Sequence, residues 1–134
     1  MKCRSVILLF SLFFLISCTV TDSDNSDIRI VGQWELIRSY GGIGGVTLTP
    51  DSENFTASQI TFYSNNRFSY LRADTVFSTG RYSLNSTNGD VTIQYKSEGP
   101  AELFNQRVEF SGVDTLILQD ECFDCYTNTF IRLP

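Results

Sequence analysis

From Ile30 onward, apolar and polar residues alternate with a period of two, and no window of helical length carries a sustained apolar stripe at three-and-four spacing. That pattern predicts an all-β fold whose strands each bury one face. Eight segments carry it: residues 32–39, 59–64, 67–73, 80–85, 91–96, 106–112, 115–119 and 125–133. Their alternating apolar sets are Trp34 and Leu36; Ile60 and Phe62; Phe68 and Tyr70; Tyr82 and Leu84; Val91, Ile93 and Tyr95; Val108 and Phe110; Leu116 and Leu118; Tyr126 and Phe130. Between them, Asn65-Asn66, Asn88-Gly89-Asp90 and Gly112-Val113-Asp114 supply tight turns rich in residues that tolerate positive φ. Short hairpins between sequence neighbours make an antiparallel meander. A meander of this length closes most economically into a small eight-stranded up-and-down β-barrel, because closure leaves no exposed edge, whereas a two-sheet sandwich needs longer crossovers.

Residues 40–58 interrupt the rhythm with Gly41, Gly42, Gly44 and Gly45 around Ile43, then Thr49-Pro50-Asp51. No strand, lysine and helix follow in the order a phosphate-cradling loop requires. The segment reads as a mobile loop crossing or bordering the barrel mouth, where binding surfaces are commonly carried.

The first residues change the picture of where the domain works. Met1 to Arg4 is a short basic end, Val6 to Ile16 is almost wholly apolar, and the run stops at Ser17-Cys18. Eleven or so apolar residues fall short of the roughly twenty that a membrane-spanning helix needs, so residues 1–17 read as an export signal. Leu15-Ile16-Ser17-Cys18 resembles the lipobox of bacterial lipoproteins, which implies a diacylated Cys18 as the new N-terminus and a membrane partner reached through that lipid. Residues 18–29 are polar apart from Val20 and a few flanking positions, a leash between the lipid and the domain of residues 30–134. By the same resemblance, Thr19 rather than Asp after the cysteine implies delivery to an outer membrane.

Removing Lys2 and Arg4 from the 10 basic residues leaves 8 against 15 acidic ones. Such a surface repels phosphate backbones, and Lys96 is then the sole lysine, so nucleic acid is excluded as a partner. With no histidine, every His-based triad and His-ligated zinc site is absent. Cys122 and Cys125 have the spacing of a redox pair or half a zinc knuckle, but neither a thioredoxin-type β-α-β pattern nor two further ligands accompany them. Outside the cytoplasm they read as a disulfide across the turn between the last two strands, with a redox role as the alternative. Asp120, Glu121 and Asp124 crowd the same hairpin and read as a solvated acidic rim; no metal, cofactor or catalytic residue is assigned.

Gly32-Gln33-Trp34 at the start, eight short strands, and Phe130-Ile131-Arg132 at the end resemble the lipocalin-like lipoprotein domains of Bacteroidota and, more distantly, the lipocalin and calycin barrels. The resemblance spans almost the whole chain on short motifs, and the strands are shorter than those of secreted lipocalins. It implies that Trp34 and Arg132 meet at the closed end of the barrel, the guanidinium on the indole, in a contact worth about 1–2 kcal/mol.

Function then turns on the aromatic load of 11 Phe, 6 Tyr and 1 Trp. Phe62, Phe68, Tyr70, Tyr82, Tyr95 and Phe110, with Arg72 on the face of Phe68 and Tyr70, are expected to line an interior that binds a small apolar or amphipathic molecule without chemistry. The same residues suit a packed core, since eight strands enclose little more than their own side chains. The alternative is an interaction or structural module of the cell envelope that meets another envelope protein through residues 40–58.

Overall fold

A computed structural model describes residues 29–134 as nine strands: β1 (Gly32–Gly41), β2 (Val46–Leu48), β3 (Ser58–Phe62), β4 (Arg67–Arg72), β5 (Thr75–Thr87), β6 (Asp90–Ser97), β7 (Gln106–Ser111), β8 (Thr115–Asp120) and β9 (Tyr126–Arg132). The export signal of residues 1–17, Cys18 and nearly all of the leash lie outside the described residues. Neighbours from β3 to β9 pair antiparallel in chain order, and β9 returns to β1 from Trp34↔Arg132 to Gly41↔Tyr126. The fold is an eight-stranded, closed, up-and-down β-barrel of lipocalin-like architecture, with β2 as a short addition.

The alternation explains the closure. Inward positions carry Trp34, Ile60, Phe62, Phe68, Ile93, Leu116 and Phe130, all buried, while Gln33, Arg81, Ser83, Gln94, Lys96, Arg107, Glu109 and Gln119 face outward and are exposed. Water therefore surrounds the wall and the apolar faces meet inside. The hairpin turns fall where positive φ is available: Asn66 at 61°, Asn88 and Gly89 at 54° and 87°, and Gly112 at 69°.

Two stretches differ from the sequence reading. Residues 40–58 are not a single loop, because β1 continues to Gly41 and β2 pairs with it at Ser39↔Leu48 and Gly41↔Val46. The cause is a length mismatch: β3 covers only Gly32 to Glu35 of the ten-residue β1, and β2 supplies hydrogen bonds to the rest of that edge. Likewise β5 begins at Thr75 rather than Gly80, after a turn at Ala73 and Asp74 with φ of 48° and 59°. That turn has no glycine or asparagine to announce it.

Turns 63–66, 88–89 and 112–114 and both ends of the described chain gather at one end of the barrel, which is sealed. Trp34 is fully buried there, donating from Nε1 to the carbonyl of Ile30 at 2.8 Å. The Arg132 guanidinium lies 4.1 Å above the indole and donates to the carbonyls of Val31 and Arg29. Gly32 has no side chain because a Cβ there would run into that guanidinium. Alongside, Arg29 sits 4.3 Å over the Phe110 ring and donates to the carbonyl of Gly112. The strand pairings close from β1 through β9 back onto β1, and the described core cluster is built from Ile30 to Phe130, so a chain starting at Arg29 carries a closed barrel with its own core. At the opposite end, Cys122 and Cys125 are joined as a disulfide across the β8–β9 turn, a ring too small to contribute much through chain entropy.

Candidate functional site

The interior is divided by level. Phe62 meets Tyr82 and Phe68 meets Tyr95 edge to face, both pairs at 5.0 Å, and with Ile93, Leu116 and Leu118 they fill the lower barrel. Above them the side chains become smaller or polar, and the barrel opens. A compartment of about 250 Å³ runs from Ile60, Leu118 and Phe130 at its floor to Leu103 and Phe104 at its entrance. A wider one of about 460 Å³ lies beside it, walled by Leu36, Leu48, Phe55 and Tyr126. Tyr70, Asp120 and Asn128 line both.

Connections at this end build the rim. Residues 98–105 are tied over the mouth by Ser78 Oγ donating to the carbonyl of Ala101 at 2.6 Å and by the Leu103 amide donating to Ser97 Oγ at 3.1 Å. Residues 49–57 form the opposite wall through linked turns, with the Ser52 amide bonded to the Thr49 carbonyl and the Phe55 amide to that of Ser52. This wall packs Phe55 against the core. The segment 40–58 thus borders the mouth with an ordered frame.

A hydrogen-bonded chain crosses the junction of the compartments. Tyr95 donates from its hydroxyl to Gln106 Oε1 at 2.9 Å, and Gln106 Nε2 donates to Asp120 Oδ1 at 2.7 Å. Ser39 donates to Asn128 Oδ1 at 2.7 Å on the facing strands. Burial first, then the charge of Asp120 and the neighbouring Tyr70, holds the Tyr95 hydroxyl well above its ordinary value. It therefore stays a donor and keeps the Gln106 amide turned toward the carboxylate.

This has a pH consequence. An unfolded tyrosine loses its proton near pH 10 while the folded Tyr95 keeps it, so the unfolded state binds fewer protons above that point and stability falls as pH rises. The urea midpoint of the native protein should decline from about pH 9 to about pH 11, and Tyr95→Phe should flatten that decline. An unchanged slope in Tyr95→Phe would refute the assignment.

The residues expected to line the interior separate into three groups. Tyr70 faces both compartments, and Arg72 lies on the wall of the wider one, exposed, with its guanidinium 5.6 Å from the Phe77 ring. Tyr95 stands behind Gln106. Phe62, Phe68 and Tyr82 belong to the packed lower level, and Phe110 lies at the sealed end, 6.4 Å from Trp34. Tyr126 is 41 % exposed, because the inward side of β9 at that height faces the open mouth.

Asp120 differs from the exposed Glu121 and Asp124 of the acidic hairpin: it is half-buried, continuing the inward series Leu116, Leu118, and also borders an outer groove with Arg107 and Glu121. Gln106 precedes Val108 and Asn128 precedes Phe130 in the same way, so the alternation itself marked these polar lining positions. Phe77, Glu102, Leu103 and Phe104 had no such signal, since Phe77 occupies a bulge opposite Tyr70 and Leu71 and the others lie in a connection.

Among known proteins the chain matches no family model, no curated protein and no solved structure. The reading of the site therefore rests on its own geometry. Among the described residues no group of three or more His, Cys, Asp or Glu could hold a metal ion.

Proposed function

We propose that the protein is an outer-membrane lipoprotein, tethered through Cys18, whose barrel binds a small amphipathic molecule non-covalently in the compartments at its open end. The observation that supports this reading is the division of the interior: a packed lower half beneath two open compartments with apolar walls and convergent polar groups, the usual make-up of a small-molecule site. Arg29, the first described residue, sits at the sealed end, opposite the mouth.

Native mass spectrometry of the protein from Arg29 on, purified from a bacterial periplasm without detergent, tests the binding. Extra mass that vanishes on denaturation is expected, and Tyr70→Ala should lower its occupancy about tenfold, because that ring borders both compartments and its removal forfeits roughly 1.5 kcal/mol of apolar contact. A bare mass, also after incubation with octanol, would refute the reading. For the tether, Cys18→Ser in the full chain should move the protein from the membrane fraction to the soluble one.

A second reading is favoured by one observation. Ile43 at the tip of the β1–β2 turn is 95 % exposed, and Val46 beside it is also exposed, which suits contact with another envelope protein through residues 40–58. A bare mass together with loss of a co-purifying partner in Ile43→Ser would select it.

A further inference from the structure

The two compartments differ in charge. Asp120 and Glu102 line the smaller one, and no basic residue does. Arg72 lines only the wider one, where its guanidinium rests near Phe77 on the exposed rim. Two ion pairs are formed among the described residues, Arg67 with Glu98 and Arg107 with Asp90, and neither involves Asp120 or Glu102. Asp120 is thus a half-buried carboxylate that forms no ion pair among the described residues, although Arg107, paired with Asp90, borders an outer groove with it; its Oδ1 is held by Gln106 and its other oxygen meets no donor among those residues.

No buried side-chain oxygen among the described residues lacks a partner, so this free oxygen is open to the cavity and accessible to an entering cation or donor. The walls around it are aromatic: Tyr70 and Phe77 meet edge to face at 5.6 Å, and Phe104 stands at the entrance, 75 % exposed and without a ring partner among the described residues. Ring faces beside a fixed carboxylate are the surroundings in which ammonium groups are bound, because the negative face of each ring adds to the attraction of the charge. The floor of Ile60, Leu118 and Phe130 offers no polar side chain and suits a hydrocarbon part.

Resting on the cavity reading above, we infer that the ligand is a cationic amphiphile, an alkyl or aryl amine, whose ammonium group sits on Asp120 in the smaller compartment with its apolar part on the floor. Gln106, aimed by Tyr95, is the positioning residue that holds the carboxylate toward the cavity.

Three probes with one chain length and different heads decide it: octylammonium, octanol and octanoate, titrated by calorimetry into the protein from Arg29 on. Octylammonium should bind at least about tenfold tighter than octanol, and octanoate weakest, since the lining places two carboxylates against it. Asp120→Asn, which keeps an acceptor for Gln106, should abolish the preference, bringing octylammonium to the level at which octanol binds the same variant. Equal binding of all three, or tighter binding of octanoate, would overturn the inference and leave the cavity reading standing. Binding of none would overturn both. Loss of the preference in Glu102→Gln but not in Asp120→Asn would overturn the assignment to Asp120. If Asp120→Asn does not fold, the ranking of the three probes on the native protein still supports or refutes the cationic head.

Discussion

Trp34→Ala should destabilise the barrel by about 3–5 kcal/mol, a large share of the roughly 5–15 kcal/mol that holds a domain of this size together. Trp34 is fully buried at the sealed end, so its removal leaves a cavity that the surrounding strands cannot collapse into while β1 stays paired to both β3 and β9. The indole also serves as the surface on which Arg132 rests and as the donor that fixes Ile30 beneath the barrel. Losing it would strip both contacts along with the apolar filling. Trp34→Phe separates these contributions, since it keeps most of the apolar area and loses the bond to the Ile30 carbonyl, for an expected cost of about 1–3 kcal/mol. Because the chain has a single tryptophan, urea unfolding of both variants should be followed by far-ultraviolet circular dichroism. A midpoint for Trp34→Ala close to that of the native protein would show that this end of the barrel is not sealed by the indole.

Gly80→Ala should cost roughly 3 kcal/mol, although it adds one methyl group in the middle of a strand. Gly80 pairs with Phe68 on one side and Ser97 on the other, is buried, and has φ of 155°. A Cβ there would collide with the carbonyl oxygen of Lys96 and crowd the Cα of Ser97, and both are backbone atoms that no rotamer change can move. The thirteen-residue β5 must bend around the barrel while β6 stays in register from Gly80 to Thr87, and the missing side chain lets the two backbones approach. Gly89→Ala is the matched control. Its φ is 87° but nothing lies within 4 Å of the added atom, so only backbone strain of about 1–2 kcal/mol applies. Thermal or urea unfolding that ranks Gly89→Ala as the more damaging would contradict the close approach of β5 and β6.

Much of the architecture was legible because burial in a two-faced strand is a local property. A residue at position i and another at i+2 share a face regardless of what the rest of the chain does, so Trp34 and Leu36, Phe68 and Tyr70, or Leu116 and Leu118 declared their side before any partner was known. Read with the same parity, Gln106, Asp120 and Asn128 are inward as well, and their acidic or amide character at the ends of apolar series is the trace of the candidate site in the sequence. Asp120 was obscured by Glu121 and Asp124, exposed neighbours on the hairpin that make the whole cluster look solvated.

Parity cannot report height along the barrel. Phe62, Phe68 and Tyr82 sit on the same side of their strands as Tyr70, yet the first three are sealed in the core and Tyr70 borders open space. That distinction depends on register between strands far apart in the chain, such as Trp34↔Arg132 and Gly80↔Ser97, which sets how many layers of rings stack before the wall runs out. The same holds for β2, too short to show alternation and present because β1 outreaches β3, and for the connection 98–105, whose Leu103 and Phe104 reach the mouth through the bonds at Ser78 and Ser97. The sequence by itself determined the all-β character, the facing of each strand residue and most turn positions, since these follow from nearest-neighbour geometry. Only the tertiary structure decided where the core stops and the cavity begins, because that boundary is set by long-range pairing and by the packing of side chains contributed from all around the barrel.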